Sequence, residues 1–396
     1  MQKGKTGVCI IIENLPVPVD RRVWQEALTL RDAGYRVSVI CPRARGFDRS
    51  RETLEGIEIY RYRVWEASSP LGYVVEYALA LAAQLYLALI AYARTRFRVL
   101  QACNPPDTIF LVGLLFKLFG VRFIFDHHDL NPELYEAKFG RRDFGYRLVC
   151  WAERLTFRTA DVAIATNESY REVARDRGHM REERIFVVRS CPDLARTRLR
   201  PPRLELKEGR RFLVVYLGVM GPQDGLDLLL ESIDSIVHGS QRQDILFALI
   251  GAGSEVPRLK TMSAEKGLQP FVRFPGHLSD EEVAAYFSTA DLGVAPDPAT
   301  PMNDKSTMNK ILEYMAFGLP VVLYDLTEGR RSAGGAASYA RPGDPEDFAR
   351  EILKLLDSES LRRELGACGR KRIEERLNWE CEKRSFLAAY AAALEP

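Results

Sequence analysis

The chain of 396 residues has 46% apolar and 28% charged residues and a formal net charge of +2, the make-up of a folded globular protein rather than a disordered or fibrous one. That length exceeds what one core usually supports, so two domains of about 150–200 residues each are expected. Seven cysteines (Cys9, Cys41, Cys103, Cys150, Cys191, Cys368 and Cys381) are odd in number and scattered with no CxxC pair, which indicates neither a disulfide framework nor a zinc knuckle and fits a reducing, cytoplasmic setting.

After the basic start Met1–Lys5, the apolar run Val8–Ile12 stops at Glu13, too short for the apolar region of a signal peptide. Gly7–Glu13 reads as a strand, Arg21–Ala33 as a helix ending before Gly34, and Tyr35–Cys41 as a second strand, a βαβ start to an α/β domain. Its first turn has no GxGxxG and is not a dinucleotide fingerprint. Ile57–Tyr62, Phe97–Ala102 and Val121–Asp126 continue the strands, Asp107–Gly120 is helical, and Asp161–Thr166 and Arg184–Arg189 close this half.

Gly72–Ala93 is long enough to span a bilayer, but Glu76 and Gln84 interrupt it, which favours a buried or interface-lying helix. Arginines at 43, 45, 49, 51, 61 and 63 precede it and others at 94, 96 and 98 follow, partly offset by Glu52, Glu55 and Glu58. Such flanks suit peripheral contact with an anionic membrane, at about 1 kcal/mol per cation near the surface. No groove-reading motif accompanies them, so no nucleic-acid partner is expected.

The polar, proline-containing residues 191–211 read as a linker. A second alternation follows: strands Phe212–Leu217, Asp244–Ile250, Phe271–Phe274 and Asp291–Ala295, with helices Gly225–Val237, Val256–Lys266 and Asp280–Thr289, then Asp344–Asp357, Ser360–Leu377 and Trp379–Leu394. The expected fold is α/β: two Rossmann-like doubly wound domains facing a cleft, an N-terminal domain 1–190, linker 191–211, a C-terminal domain 212–375, and a final helix 376–396 placed to pack back on the first domain. Ligands in such sheets bind outside the carboxyl ends of the strands.

Ala295–Leu323, APDPATPMNDKSTMNKILEYMAFGLPVVL, is the most informative stretch. A helix opening near Ser306, with Ser306 or Thr307 as its cap and Gly318 at its end, sets Lys310 and Glu313 on one face. A helix start at the carboxyl end of a sheet attracts anions. Lys310 then suits a diphosphate and Glu313 the hydroxyls of a ribose; an ordinary Lys–Glu surface pair is the competing reading.

The context Lys310-x-x-Glu313-Tyr-Met-Ala-x-Gly-x-Pro-Val-Val resembles the family 4 glycosyltransferases of GT-B fold, over nearly the whole chain. Tyr216-Leu-Gly218, Gly251-Ala-Gly253 and Val272-Arg-Phe-Pro-Gly276 support the resemblance, and Phe125-Asp-His-His-Asp-Leu-Asn-Pro-Glu133 looks like the family's loop facing the donor sugar. Asn104-Pro-Pro-Asp107 and Pro16-Val-Pro-Val-Asp-Arg-Arg22 are similar to a branch that builds bacterial surface polysaccharides.

The resemblance implies retaining transfer of a sugar from a nucleotide diphosphate donor, UDP-linked or else GDP-linked, to a glycan or polyprenyl-linked acceptor, with no metal and no cofactor. It gives Glu313 the donor ribose, Lys310 the diphosphate, and His128 the donor sugar or the diphosphate side of the reaction. Lys305, Ser306 and the glycines Gly218, Gly251 and Gly253 join the donor side, the last two permitting a tight turn near the nucleotide or simply a structural one. Asp129 either orients His128 or caps the next turn, and His127 packs. Arg21 and Arg22, cations at a helix start where the dipole opposes them, suit an anionic acceptor, with two solvated arginines as the simpler account.

Two departures stand out. Lys305 occupies the place of the family's outer glutamate, and Gly218-Val-Met-Gly-Pro-Gln-Asp-Gly225 lacks the usual Arg and Lys. A nucleotide-sugar epimerase of the same fold and a catalytically silent assembly scaffold are the rival readings.

Overall fold

The computed structural model describes residues 6–64, 70–194 and 197–395; the basic start Met1–Lys5 lies outside them. The chain forms two compact units, Met1–Ser190 with Glu382–Pro396, and Cys191–Cys381.

The first unit runs β1 (Gly7–Ile11), α1 (Arg21–Asp32), β2 (Arg36–Pro42), β3 (Arg51–Leu54), β4 (Ile57–Tyr62), α2 (Pro70–Thr95), β5 (Val99–Cys103), α3 (Phe110–Lys117), β6 (Arg122–His127), α4 (Asn131–Phe139), α5 (Phe144–Thr159), β7 (Val162–Ala165), α6 (Glu168–Asp176) and β8 (Ile185–Val187). Its sheet has the order β3-β4-β2-β1-β5-β6-β7-β8, parallel except where β3 pairs with β4. Strands covered on both faces are near-continuous apolar runs, and β1, β5 and β7 are buried throughout. Strand β3 escapes a sequence reading because its RETL is a mostly exposed edge with no apolar period.

Helix α2 lays Ala80, Ala88 and Ala91 in the core. Its buried Gln84 donates from Nε2 to Glu13 Oε2 (2.6 Å) and to Tyr62 Oη (2.9 Å), so the residue that interrupts the apolar run tethers the helix to the sheet. Burial pushes the Glu13 carboxyl up to about 7. Val75–Thr95 is long and apolar enough to cross a membrane, and Val75, Leu79, Tyr86 and Leu89 are exposed.

The second unit runs β9 (Phe212–Leu217), α7 (Leu226–Asp234), β10 (Ile245–Ile250), α8 (Val256–Glu265), β11 (Val272–Gly276), α9 (Asp280–Thr289), β12 (Leu292–Ala295), α10 (Pro301–Lys305), α11 (Asn309–Ala316), β13 (Val321–Tyr324), α12 (Thr327–Ala333), β14 (Ala337–Ala340), α13 (Pro345–Asp357) and α14 (Glu359–Glu375). All its strands are parallel, in the order β11-β10-β9-β12-β13-β14. The described residues of 191–211 do not hang free. Arg203 N–H donates to Thr289 Oγ1 (2.8 Å) and Lys207 Nζ to Asp291 Oδ2 (2.7 Å), so the polar side chains that suggest a linker fasten the stretch to this unit.

Helix α15 (Trp379–Leu394) closes the chain, and from Glu382 on it belongs to the first unit. There Glu382 Oε2 accepts from the Arg189 N–H, and Ser385 Oγ donates to the Val187 carbonyl. Each sheet reverses its winding once, between β1 and β5 and between β9 and β12. The residues of interest gather at the carboxyl ends beside these two points, where doubly wound sheets bind ligands.

Candidate functional site

In the second unit the loop after β12 turns through Asp297 into α10 and α11. Lys310, in the first turn of α11, is 9% exposed and donates from Nζ to Asp297 Oδ1 at 2.8 Å. Its ammonium also lies 4.8 Å from the centroid of the Tyr216 ring at the end of β9. Asp297 is 2% exposed; a buried carboxylate of this kind must be paired. The sequence reading misses Asp297, whose only signal is an acid between Pro296 and Pro298 at a strand end. Glu313 sits one turn beyond Lys310, half-buried.

The helix starts later than Ser306 suggests. Met308 is the N-cap and no side chain caps it. Ser306 ends α10 instead, its Oγ donating to the Met302 carbonyl at 2.8 Å, because five residues that read as loop wind into a helix of their own. The first turn of α11 therefore keeps its positive end uncapped, the arrangement that attracts anions. Gly318 follows the last turn at φ 72°, as its place in the sequence implies. Asp304 accepts from Thr327 N–H (2.8 Å) and Oγ1 (2.9 Å), holding the start of α12, while Lys305 is half-buried at the end of α10.

The three donor-side glycines come together. Gly218 stands at φ 156°, where a Cβ would lie 2.8 Å from Tyr216 Oη and 3.3 Å from Lys310 Cε. Gly251, at φ 140°, would press a Cβ to 1.8 Å from the Gly218 carbonyl oxygen, and one on Gly253 would reach 2.3 Å from that of Met220. The loops after β9 and β10 are joined by Gly218 N–H to Ile250 O (3.1 Å) and Met220 N–H to Ala252 O (3.0 Å). Gly251→Ala should lower stability by at least about 2 kcal/mol, since only glycine is at ease there and the clash is with backbone. Urea unfolding checks this: an unchanged midpoint at unchanged slope would contradict it.

In the first unit, His128 follows β6 and is 14% exposed; its Nε2 lies 2.9 Å from Asp126 Oδ2. Arg22, in the first turn of α1, donates to Asp126 Oδ1 (3.0 Å) and to the Val188 carbonyl (2.8 Å), and its Nε lies 3.0 Å from His128 Nε2 and 3.1 Å from Glu26 Oε1. One ring nitrogen cannot accept from Arg22 and donate to Asp126 together; with Asp126 ionised, Nε2–H goes to the carboxylate, and Arg22 faces Glu26 as an ion pair. Gln101 donates to Glu26 Oε2 (2.7 Å) and Asp126 Oδ2 (2.9 Å) and accepts from Tyr390 Oη (2.6 Å). Every member but His128 is buried.

Burial works against the Asp126 carboxylate, but Arg22 and His128 hold it below the usual range. Burial likewise opposes the His128 imidazolium, and Asp126 outweighs it, so its pKa is raised. Burial and the neighbouring Asp126 push Glu26 well above an ordinary glutamate. The site thus presents a partly exposed imidazole biased toward its cationic form, suited to steady charge that develops on a reacting oxygen.

These contacts revise several sequence readings. Arg22 is no solvated cation, whereas Arg21 is exposed. Asp129 neither holds His128 nor caps α4: Asp126 takes the imidazole, and α4 has no side-chain cap. Its carboxylate accepts from the Asn14 side chain, and burial raises its pKa. Asn104 sets the loop, its Oδ1 accepting from the N–H groups of His128 (2.7 Å) and Asp129 (3.2 Å) and its Nδ2 donating to the Asp129 carbonyl (2.7 Å). His127 packs among Phe125, Phe157 and Tyr170. Ligand atoms of Cys103, Asp126 and His128 lie within 4.8 Å of one another, but the Arg22 guanidinium already occupies that carboxylate and repels a metal ion.

Two family models match the chain: glycosyl transferases group 1 over residues 211–358, and glycosyl transferase 4-like domain over residues 19–191. A D-inositol 3-phosphate glycosyltransferase of Geodermatophilus obscurus is 29% identical over 271 residues, 63% of this chain and 54% of that one. A phosphatidyl-myo-inositol mannosyltransferase of Mycobacterium leprae is 27% identical over 180 residues, 45% of this chain and 46% of that one. The chain spans about half the length of the curated relatives it matches. Among solved structures, sucrose-phosphate synthase from Thermosynechococcus elongatus aligns with a TM-score of 0.79 at 19% identity, over 98% of both chains. Anabaena HepE in complex with UDP and glucose gives 0.75 at 16% identity, over 98% of this chain and 100% of that one. At such identities the likeness shows the fold alone.

Proposed function

This chain belongs to the family 4 glycosyltransferases of GT-B fold, and on that premise we propose that it transfers a sugar, with retention, from a nucleotide diphosphate donor to a glycan or lipid-linked acceptor. The observation that carries the reading is Lys310, a buried cation in the uncapped first turn of α11 at the winding switch of the second sheet. There the helix end and the ammonium together receive the diphosphate, and their charge steadies it as it leaves.

Glu313, one turn deeper, accepts from the donor ribose, and Gly218 and Gly251 let the loops after β9 and β10 pack on each other beside the donor. Lys305 joins Lys310 on the donor side in this reading. His128, fixed through Asp126, Arg22 and Asn104, meets the donor sugar, with Asp129 beside it; Arg21 is left as the cation for an anionic acceptor. UDP is the preferred nucleotide because HepE, of the same fold, is bound with UDP and glucose. A lipid-linked acceptor is supported by the likeness to a phosphatidyl-myo-inositol mannosyltransferase, and we propose that it serves surface polysaccharide assembly. Work in the cytoplasm at the inner face of the membrane fits seven free cysteines and the exposed apolar face of α2.

Glu313→Gln tests the reading. Losing a charged hydrogen bond to the donor should lower kcat/KM by about 10–150-fold, and sugar transfer to acceptor should fall together with donor hydrolysis. A silent scaffold would support glycan assembly in cells equally well with the substitution, and an epimerase would release the epimeric sugar from the donor with no acceptor present. Either result would overturn the assignment.

A further inference from the structure

At the edge of the first sheet opposite His128, a cavity of about 690 Å³ opens at the amino ends of β6, β7 and β8. Arg122 and His127 are the two ends of β6, about 16 Å apart at about 3.3 Å per residue, so this cavity is not part of the site above. Arg122, Arg154, Arg158, Arg181 and Arg184 line it with His179, against only Asp161 and Glu395 as acids. Asp161 is already shared between Lys117 (2.9 Å) and Arg122 (3.7 Å), and Arg181 pairs with Glu183 (3.3 Å). Among the described residues, Arg154 and Arg158 have no carboxylate partner. They stand one turn apart on α5, where two like charges weaken a helix unless something else answers them.

The surroundings of these cations narrow what they meet. Trp151 (55% exposed) and Leu148 (52%) stand about one and two turns before Arg154 on α5, Trp151 edge-on to Phe110 at 6.1 Å, and Leu118 (82%) and Phe119 (52%) precede Arg122. Large apolar side chains are thus exposed on, or just before, the same elements that carry arginines into the cavity, the pairing of features that a phosphate-bearing amphiphile satisfies. We propose that this cavity is a second anion site, in which Arg154 and Arg158 hold the phosphate group of an anionic membrane lipid while Trp151, Leu148, Leu118 and Phe119 meet the acyl surface. The assignment rests on the reading that the protein works at a bilayer, and it moves the contact from α2 to this edge; it does not depend on transfer activity.

The experiment is co-sedimentation of the full chain with vesicles of phosphatidylcholine, with and without phosphatidylglycerol. Wild type should bind the anionic vesicles, less so at high salt. Arg154→Ser/Arg158→Ser should bind about 30-fold more weakly, the effect of two cations at a charged surface, with unchanged thermal unfolding because both side chains are exposed. Calorimetry with inorganic pyrophosphate, after saturation with UDP, should show the same loss. Anionic-vesicle binding that survives Arg154→Ser/Arg158→Ser but is lost in Tyr86→Ser/Leu89→Ser would keep the bilayer reading and overturn this site. Loss of pyrophosphate binding alone would assign the cavity to a soluble phosphate and overturn the lipid. No vesicle binding by any form would overturn both.

Discussion

Lys310→Met is expected to lower kcat/KM by about 10²–10³-fold, the usual effect of removing one preorganised donor from a developing anion. The substitution also leaves Asp297, 2% exposed, as an uncompensated buried carboxylate, which costs about 3–5 kcal/mol. A loss of activity alone therefore does not separate a ligand-binding lysine from one half of a structural ion pair. Asp297→Asn/Lys310→Met separates them. Neutralising both partners removes the stranded charge, so thermal unfolding should return most of the way to wild type while activity stays low. Activity that recovers with stability would reduce Lys310 to a structural role.

His128→Ala should cost about 10²–10⁴-fold in kcat/KM, with only a modest loss of stability. Asp126 keeps Arg22 at 3.0 Å and Gln101 at 2.9 Å when the imidazole goes, so the missing contact is one charged hydrogen bond, worth about 1.5–3 kcal/mol. The pH profile carries the sign. Asp126 raises the pKa of His128 in the folded state, so its stabilisation is full below the unfolded value of about 6.5 and fades as pH rises through the folded one. Activity that relies on the imidazolium should fall along the same alkaline limb, and that limb should be missing in the variant. A variant with near wild-type activity, or with the alkaline limb intact, would remove His128 from the reaction.

Most of the fold is legible in the sequence because parallel strands announce themselves as short apolar runs: Phe212–Leu217 and Ile57–Tyr62 stand where the residues place them. What escapes is what depends on partners distant in sequence. Arg22 and Asp126, 104 residues apart, meet as a buried pair, and Tyr390 reaches Gln101 across 289 residues; neither distance leaves a local pattern. The position of Lys310 follows from the strand–helix–strand rhythm around it, but its partner Asp297 does not, since an acid between two prolines reads as a polar loop. Ser306 misleads for the opposite reason. A serine before an amphipathic run is a common cap, and only the packing of residues 301–305 into a short helix of their own shows that it ends one element instead of opening the next.

The central claim is that a nucleoside diphosphate sits over the first turn of α11 against Lys310. Titration calorimetry of UDP, GDP and ADP into wild type and into Asp297→Asn/Lys310→Met tests it most directly. Micromolar binding of one nucleotide by wild type, lost in the folded double variant, is the predicted result. Binding of that nucleotide undiminished in the variant, or no binding of any of the three to wild type, would contradict it.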